Sequence, residues 1–324
     1  MTATASTRFS FDRSPFRVWH HSRIKVVATL PRSILKDHAI CVMIPVMTSI
    51  LCSLLLALAV LAPDVQEKQD LRYYEGSGSH SKKHLLNLYL PVDRKDPPIV
   101  IFVHGGSWKR GDKDAYGGAY ARLGRSLAGT GLAVAIINYR LSPGVRHPEH
   151  ARDVARALAW VHKQSNVYGW NQKKIFLMGH SAGAHLASLV AVDPFYLAEQ
   201  GLKPNVVRGV VAISGVYDLE LTGISGQFLY ESVFSTERQM LRKASPTSQV
   251  GTRPAPFLLL YAEEDYVTAD FQARRFEKAL KAAGGKATTH AVADRNHVNI
   301  VVGVAKKGDP VQEKVLAFIN RLAP

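Results

Sequence analysis

The stretch Ile175–Val192, IFLMGHSAGAHLASLVAV, changes character once, and the rest of the chain falls into place around it. Ile175–Met178 is a continuous apolar run, the composition of a strand covered on both faces. Ala182–Val192 is a small and aliphatic run long enough for three helical turns. Between them stands Gly179-His180-Ser181-Ala182-Gly183. Glycines two before and two after the serine permit a strained turn, because no side chains collide there. Such a turn lifts the Ser181 hydroxyl to the carboxyl edge of a sheet. It also sets that hydroxyl at the start of a helix, whose dipole favours developing negative charge. Ser181 is therefore the candidate nucleophile.

Working outward, short β-branched runs alternate with longer amphipathic ones. Strands are expected at Leu85–Leu90, Ile99–His104, Ala133–Tyr139, Val207–Ser214, Phe257–Tyr261 and Thr288–Val292. Helices are expected at Ala115–Leu127, Glu149–Gln164, Ala269–Ala283 and Pro310–Leu322. Gly284-Gly285 stops one helix, and Asp309-Pro310 supplies a cap and first position for the last. This alternation predicts a mostly parallel, doubly wound sheet with helices on both faces. Residues 216–250 break the rhythm: aromatic (Tyr217, Phe228, Tyr230, Phe234) and without a clear strand, they read as a small lid-like insertion over the sheet's carboxyl edge.

A second motif, His104-Gly105-Gly106-Ser107-Trp108, follows the apolar run Ile99–Val103, with His104 lying 77 residues before Ser181. A glycine-rich loop there lets backbone N–H groups approach a substrate carbonyl. Gly106 and Ser107, with Ala182, are the candidate oxyanion hole. A serine nucleophile needs a base, and an imidazole needs an orienting carboxylate. Asp294-Arg295-Asn296-His297 is a polar loop after the last strand and supplies His297 as base, with His290 as competitor. Glu263, Glu264 and Asp265 end the Phe257–Tyr261 run. Asp265 is the expected acid, with Asp270 and Glu264 behind it. Trp108 and Tyr217 are expected as pocket walls.

The chain has 324 residues and a formal charge of +15, but the charge is unevenly spread. Residues 1–38 carry seven Lys/Arg against Asp12 and Asp37, and residues 39–62 carry no charge, which leaves about +10 on the remainder. No aromatic-interleaved basic stripe or nucleic-acid motif is present, so a nucleic-acid partner is not expected. Both cysteines, Cys41 and Cys52, lie within residues 39–62, so residues 63–324 have no thiolate chemistry and no internal disulfide. His147, Glu149 and His150 cluster, but Pro148 marks a helix start, and no metal is expected.

The 24 apolar residues Ala39–Ala62 would span about 36 Å as a helix, enough for a hydrocarbon core of roughly 30 Å. With the basic flank before them, they read as a transmembrane anchor or a signal peptide, which places residues 63–324, the expected catalytic domain, on the non-cytoplasmic side.

The motifs HGGSW, GHSAGAHLA and EEDYVTADFQ, with the late His297, resemble α/β-hydrolases of the hormone-sensitive-lipase and carboxylesterase group over roughly residues 70–322. HGGSWKRGDK and HPEHARDVARALAWV are similar to feruloyl-esterase-like proteins and kynurenine formamidases. SGVYDL with FLYESVF resembles isoprenylcysteine methylesterases. The resemblance implies the α/β-hydrolase fold, a Ser181–His297–Asp265 triad, no cofactor, and hydrolysis of small to medium acyl esters through an acyl-enzyme. Ser107 stands where lipases of the group often have a third glycine, which alters the expected acyl-pocket shape. Two alternatives stand beside this: an amide-cleaving hydrolase such as a formamidase, which uses the same triad, and a non-catalytic ligand-binding protein on the same fold, which predicts a broken one.

Overall fold

The computed structural model describes residues 65–92, 94–221 and 230–324. The basic region 1–38 and the apolar segment 39–62 lie outside the described residues. The strands are β1 (Val65–Arg72), β2 (Leu85–Pro91), β3 (Ile99–Val103), β4 (Ala133–Ile137), β5 (Ile175–His180), β6 (Val207–Ile213), β7 (Phe257–Glu264) and β8 (Ala287–Asn296). The helices are α1 (Ala115–Ala128), α2 (Glu149–Tyr168), α3 (Ala182–Val192), α4 (Pro194–Ala198), α5 (Arg238–Ala244), α6 (Ala269–Ala282), α7 (Asn299–Gly303) and α8 (Pro310–Leu322).

One eight-stranded sheet runs in the order β1-β2-β4-β3-β5-β6-β7-β8. β2 is antiparallel to both β1 and β4, and every pairing from β4 to β8 is parallel. β3 has β4 on one side and β5 on the other, so the winding reverses at β3. The carboxyl ends of β3 and β5 therefore flank the crevice where ligands settle in open α/β sheets. The two loops singled out in the sequence leave from those two ends.

The core lies on both faces, which explains the unbroken apolar strands. Along β3, Ile99, Ile101 and Val103 pack on one side and Val100 and Phe102 on the other, all fully buried. Helices α2, α3 and α6 cover the first face through Val154, Leu158, Leu186, Leu189 and Phe276. Helices α1, α7 and α8 cover the second through Leu123, Leu127, Ile300, Val315 and Phe318. Each large side chain buried in this way stabilises the fold by about 1.5–3 kcal/mol.

Several elements differ from expectation. β8 runs on to Asn296, which pairs with Glu264, so Asp294–Asn296, expected as loop, end the strand instead. β1, VQEKQDLR, has no apolar alternation, because it is a half-exposed edge strand paired only with β2. Helix α2 runs four residues past Gln164, to Tyr168, and stops at Gly169, whose φ of 86° is the left-handed turn that glycine makes without strain. The described part of the insertion between β6 and β7 contains α5 and two short 3₁₀ turns. Residues 222–229, Phe228 among them, lie outside the described residues.

Candidate active site

Ser181 has φ 54° and ψ −120°, a conformation non-glycine residues avoid at a cost of about 1–3 kcal/mol. Close backbone contact enforces it. A Cβ on Gly179 would lie 2.3 Å from the Gly183 carbonyl oxygen, and one on Gly183 would lie 2.1 Å from the Val103 oxygen. Both are far inside van der Waals contact, so only glycine lets the turn close on itself and press against β3. The Ser181 N–H donates to the Ile213 carbonyl at 2.8 Å, tying the turn to β6 as well.

The structure brings His297 and Asp265 to this serine. His297 Nε2 lies 3.0 Å from Ser181 Oγ, and its Nδ1 lies 2.6 Å from Asp265 Oδ1. An ionised carboxylate can only accept, so Nδ1 carries the proton and Nε2 is left to accept from the serine hydroxyl. Burial alone would raise the Asp265 pKa. The bonds from His297, Ser214 and the Ala262 N–H outweigh it and hold the carboxyl below its usual range. The Ser214 hydroxyl donates to Oδ2 at 2.5 Å, the Ala262 N–H to Oδ2 at 3.0 Å, and the Tyr266 N–H to Oδ1 at 2.9 Å. The alternatives fall away on geometry. Asp270 pairs with Arg274, and Glu264 and His290 are exposed.

The His297 loop is held by its neighbours. Asn296 Oδ1 accepts from the N–H groups of Val298 and Asn299, at 3.0 and 2.9 Å. From the opposite side, His180 Nε2–H donates to the His297 carbonyl at 2.7 Å, with the two rings 5.0 Å apart. Burial, helped by the nearby His297, pushes the His180 pKa down to about 4, so this donor is a neutral ring at pH 7. His180, flanking the nucleophile in sequence, reads there as a packing or supporting residue, whereas Ser214 carries no such signal. Ser214 and His180 adjoin recognisable motifs, but only the folded chain puts them against Asp265 and His297.

Gly106, Ser107 and Trp108 all have positive φ, at 123°, 53° and 58°. This tight coil turns the loop after β3 toward the elbow. Gly106 and Ser107 line a cavity of about 310 Å³ with Ser181, His180 and His297. Among the described residues no backbone carbonyl accepts from the N–H of Gly106 or Ser107, while their neighbours Lys109 and Arg110 donate to the Gly106 oxygen. Ala182 opens α3, where first-turn N–H groups lack intrahelical acceptors. The remaining walls are Ala119, Tyr120, Arg122 and Leu123 of α1, Val298, Val301 and Val302 around α7, and Arg110. A larger cavity of about 570 Å³, lined by Lys203, Arg208 and Arg253, opens among residues at the amino ends of β6 and β7, away from these groups.

Trp108 and Tyr217, expected as pocket walls, are placed elsewhere. Trp108 is 2% exposed, because its indole N–H needs an acceptor and finds His185 Nδ1 at 3.2 Å beneath the elbow helix. It packs edge-on against Phe234 and Tyr230 of the insertion. Tyr217, 1% exposed, stacks on Phe276 of α6 at 4.7 Å. The described part of the insertion thus packs over Trp108 and His185, and none of it lines the cavity. His104 and His185 are buried and bonded, to the Gly105 and Ala244 carbonyls respectively. Among the described residues no group of three His, Cys, Asp or Glu side chains could hold a metal ion.

Against known proteins, the chain is 29% identical over 257 residues to Esterase LipQ of Mycobacterium tuberculosis, covering 75% of this chain and 60% of that one. It is 29% identical over 263 residues to kynurenine formamidase of Danio rerio, covering 79% and 83%. The chain spans about half to three-fifths of the length of the mycobacterial esterases it matches. The crystal structure of esterase B from Lactobacillus rhamnosis superposes with a TM-score of 0.67 over 85% of this chain and 94% of that one. At 22% identity that likeness speaks for the fold alone. The BD-FAE family model matches residues 86–280, more than half of the sequence, and with the sheet order and elbow described above this chain belongs to the BD-FAE family and has the α/β-hydrolase fold.

Proposed function

We propose that this chain is a serine carboxylesterase acting on small to medium acyl esters. One observation carries the reading: Ser181, His297 and Asp265 form an unbroken hydrogen-bonded line, and Ser181 and His297 line a solvent-open cavity. In the first step His297 Nε2 takes the Ser181 proton as Oγ attacks the ester carbonyl. Asp265 accepts from Nδ1–H throughout and stabilises the imidazolium. The oxyanion is received by the N–H groups of Gly106, Ser107 and Ala182, each worth roughly 3–4 kcal/mol of transition-state stabilisation. The imidazolium then protonates the departing alkoxide, leaving Oγ acylated. Water attacks that acyl group with His297 again as base, and the proton returns to Oγ as the acid leaves.

The test is hydrolysis of 4-nitrophenyl esters from acetate to palmitate by the purified chain beside Ser181→Ala. A drop of about 10⁴-fold or more in kcat/KM is expected, with short and medium chains preferred because the cavity is near the lower limit for small-molecule sites. Equal rates in the two proteins would sink the proposal. The similarity to a kynurenine formamidase over 83% of its length favours one second reading, cleavage of a formyl amide by the same residues. N-formyl anilides tested beside the esters separate the two. For residues 39–62 we propose insertion into the membrane, as an anchor or a signal peptide, with residues 63–324 on the far side. Protease accessibility in sealed vesicles tests it, and protection from the cytoplasmic face is the expected result.

A further inference from the structure

The cavity beside Ser181 is apolar along one wall and cationic at its rim. Leu123, Val298 and Val302 supply the apolar surface, and the two valines are 61% and 49% exposed. Arg110 and Arg122, both exposed, supply the charge, and among the described residues no Asp or Glu lines the cavity. Neither guanidinium has a carboxylate partner among the described residues. By contrast, Arg125, one turn along α1, donates to both oxygens of Glu67 at 2.5 and 2.9 Å. The backbone of Arg110 and the side chain of Arg122 are each held by a hydrogen bond. The Arg110 N–H donates at 3.0 Å to the carbonyl of Gly106, so this residue closes the turn that carries the oxyanion-hole donors. Arg122 spends one N–H on the Gly117 carbonyl at 2.9 Å, which holds the side chain and leaves most of its five donors unused.

Resting on the esterase reading, we propose that Arg110 and Arg122 form an anion subsite. The preferred substrates are esters in which a short apolar arm from the scissile carbonyl or its oxygen ends in a carboxylate or similar small anion. The apolar wall takes the arm, and the two forks take the anion. His180, buried and neutral at pH 7, does not oppose this. Two exposed cations at the rim of a cleft are screened by salt, so the preference is expected to be graded and dependent on ionic strength.

The experiment compares matched neutral and anionic esters on the full chain. Mono-4-nitrophenyl adipate against 4-nitrophenyl hexanoate places the charge on the acyl arm. 4-Acetoxybenzoate against its methyl ester places it on the alcohol arm. The expected result is that the anionic-to-neutral ratio of kcat/KM, in at least one arm, falls about tenfold in the Arg110→Gln/Arg122→Gln double variant. It should also fall several-fold between about 0.02 and 0.5 M salt, mostly through KM. Arg122→Glu should turn the preference toward an ester ending in trimethylammonium. An unchanged ratio in both arms, with neutral esters still hydrolysed, overturns the subsite and leaves the esterase reading standing. No turnover of any ester by the wild-type chain overturns both.

Discussion

Ser181 sits on a turn shaped by backbone pressed against backbone, whereas Asp265 and His297 sit on loops shaped by hydrogen bonds. On the serine side, Gly179 and Gly183 leave no room for even one methyl group. On the base side, Asp265 is gripped by Ser214, Ala262 and Tyr266, and His297 by His180 and the Asn296 cap. Steric enforcement tolerates little, because a clash with backbone cannot be relieved by a side chain moving aside. Hydrogen-bonded enforcement is graded, because each bond contributes separately. The serine half should therefore fail as a unit, and the supports of the base half should fail by degrees.

The largest effect should come from breaking the chemistry that joins the halves. Asp265→Asn can present N–H to Nδ1 and so favour the tautomer with hydrogen on Nε2, which cannot accept from Ser181. A fall in kcat of about 10³–10⁴-fold is expected with little change in folding. A loss under tenfold would remove Asp265 from its assigned role.

How the two halves read in the sequence follows the same division. A steric demand leaves a mark on the chain, since glycine at 179 and 183 has no substitute, and the bounds of α3 match the expected Ala182–Val192. Helix α8 was equally legible because Asp309 caps it locally, accepting from the Val311 N–H at 3.0 Å. A hydrogen-bonded support made by tertiary contact leaves no such mark. Ser214 and Asp265 are 51 residues apart, and His180 and His297 are 117 apart. Three acids stood together at 263–265, and only the fold shows which one turns toward the imidazole. The pocket walls were misread for a related reason: the aromatics that looked suited to a ligand are spent on the core. Arg110 and Arg122, twelve residues apart, line one cavity because the fold brings α1 and the loop after β3 to it.

The next prediction sharpens the serine half. Gly183→Ala places a methyl carbon 2.1 Å from the Val103 oxygen, so the elbow must back away from β3. A shift of about 1 Å is enough to lose roughly 10²-fold in kcat, and overpacking should cost about 1–3 kcal/mol of stability. Wild-type activity with an unchanged melting temperature would show that the turn is looser than its contacts imply. A smaller effect tests the base half. His180→Phe removes the donor to the His297 carbonyl and should lower kcat about tenfold with KM within twofold, while His180→Gln, which keeps an N–H donor, should recover most of it. Equal losses in both variants would mean that His180 acts by packing alone.

The smallest effect at any single site concerns pH. Burial first of all pushes His104, His150, His180 and His185 down to about 4, and His147 to about 3. The unfolded chain binds protons at these sites near pH 6.5, before the folded chain does. Stability from these groups is therefore complete above about pH 6.5 and is lost as pH falls through 4. The melting temperature should stay level from about pH 8 to 7 and decline by several degrees or more between about 6.5 and 4.5. A level curve across that lower range would contradict the buried, neutral state of these rings.

The central claim is that Ser181 is the nucleophile, activated by His297 and Asp265. The most direct measurement is labelling of the full chain with a fluorophosphonate, followed by intact mass and peptide mapping. One adduct per chain, carried on Ser181 and abolished in the His297→Ala variant, is the predicted result. Labelling at another residue, or none under conditions where a known serine esterase reacts fully, would contradict it.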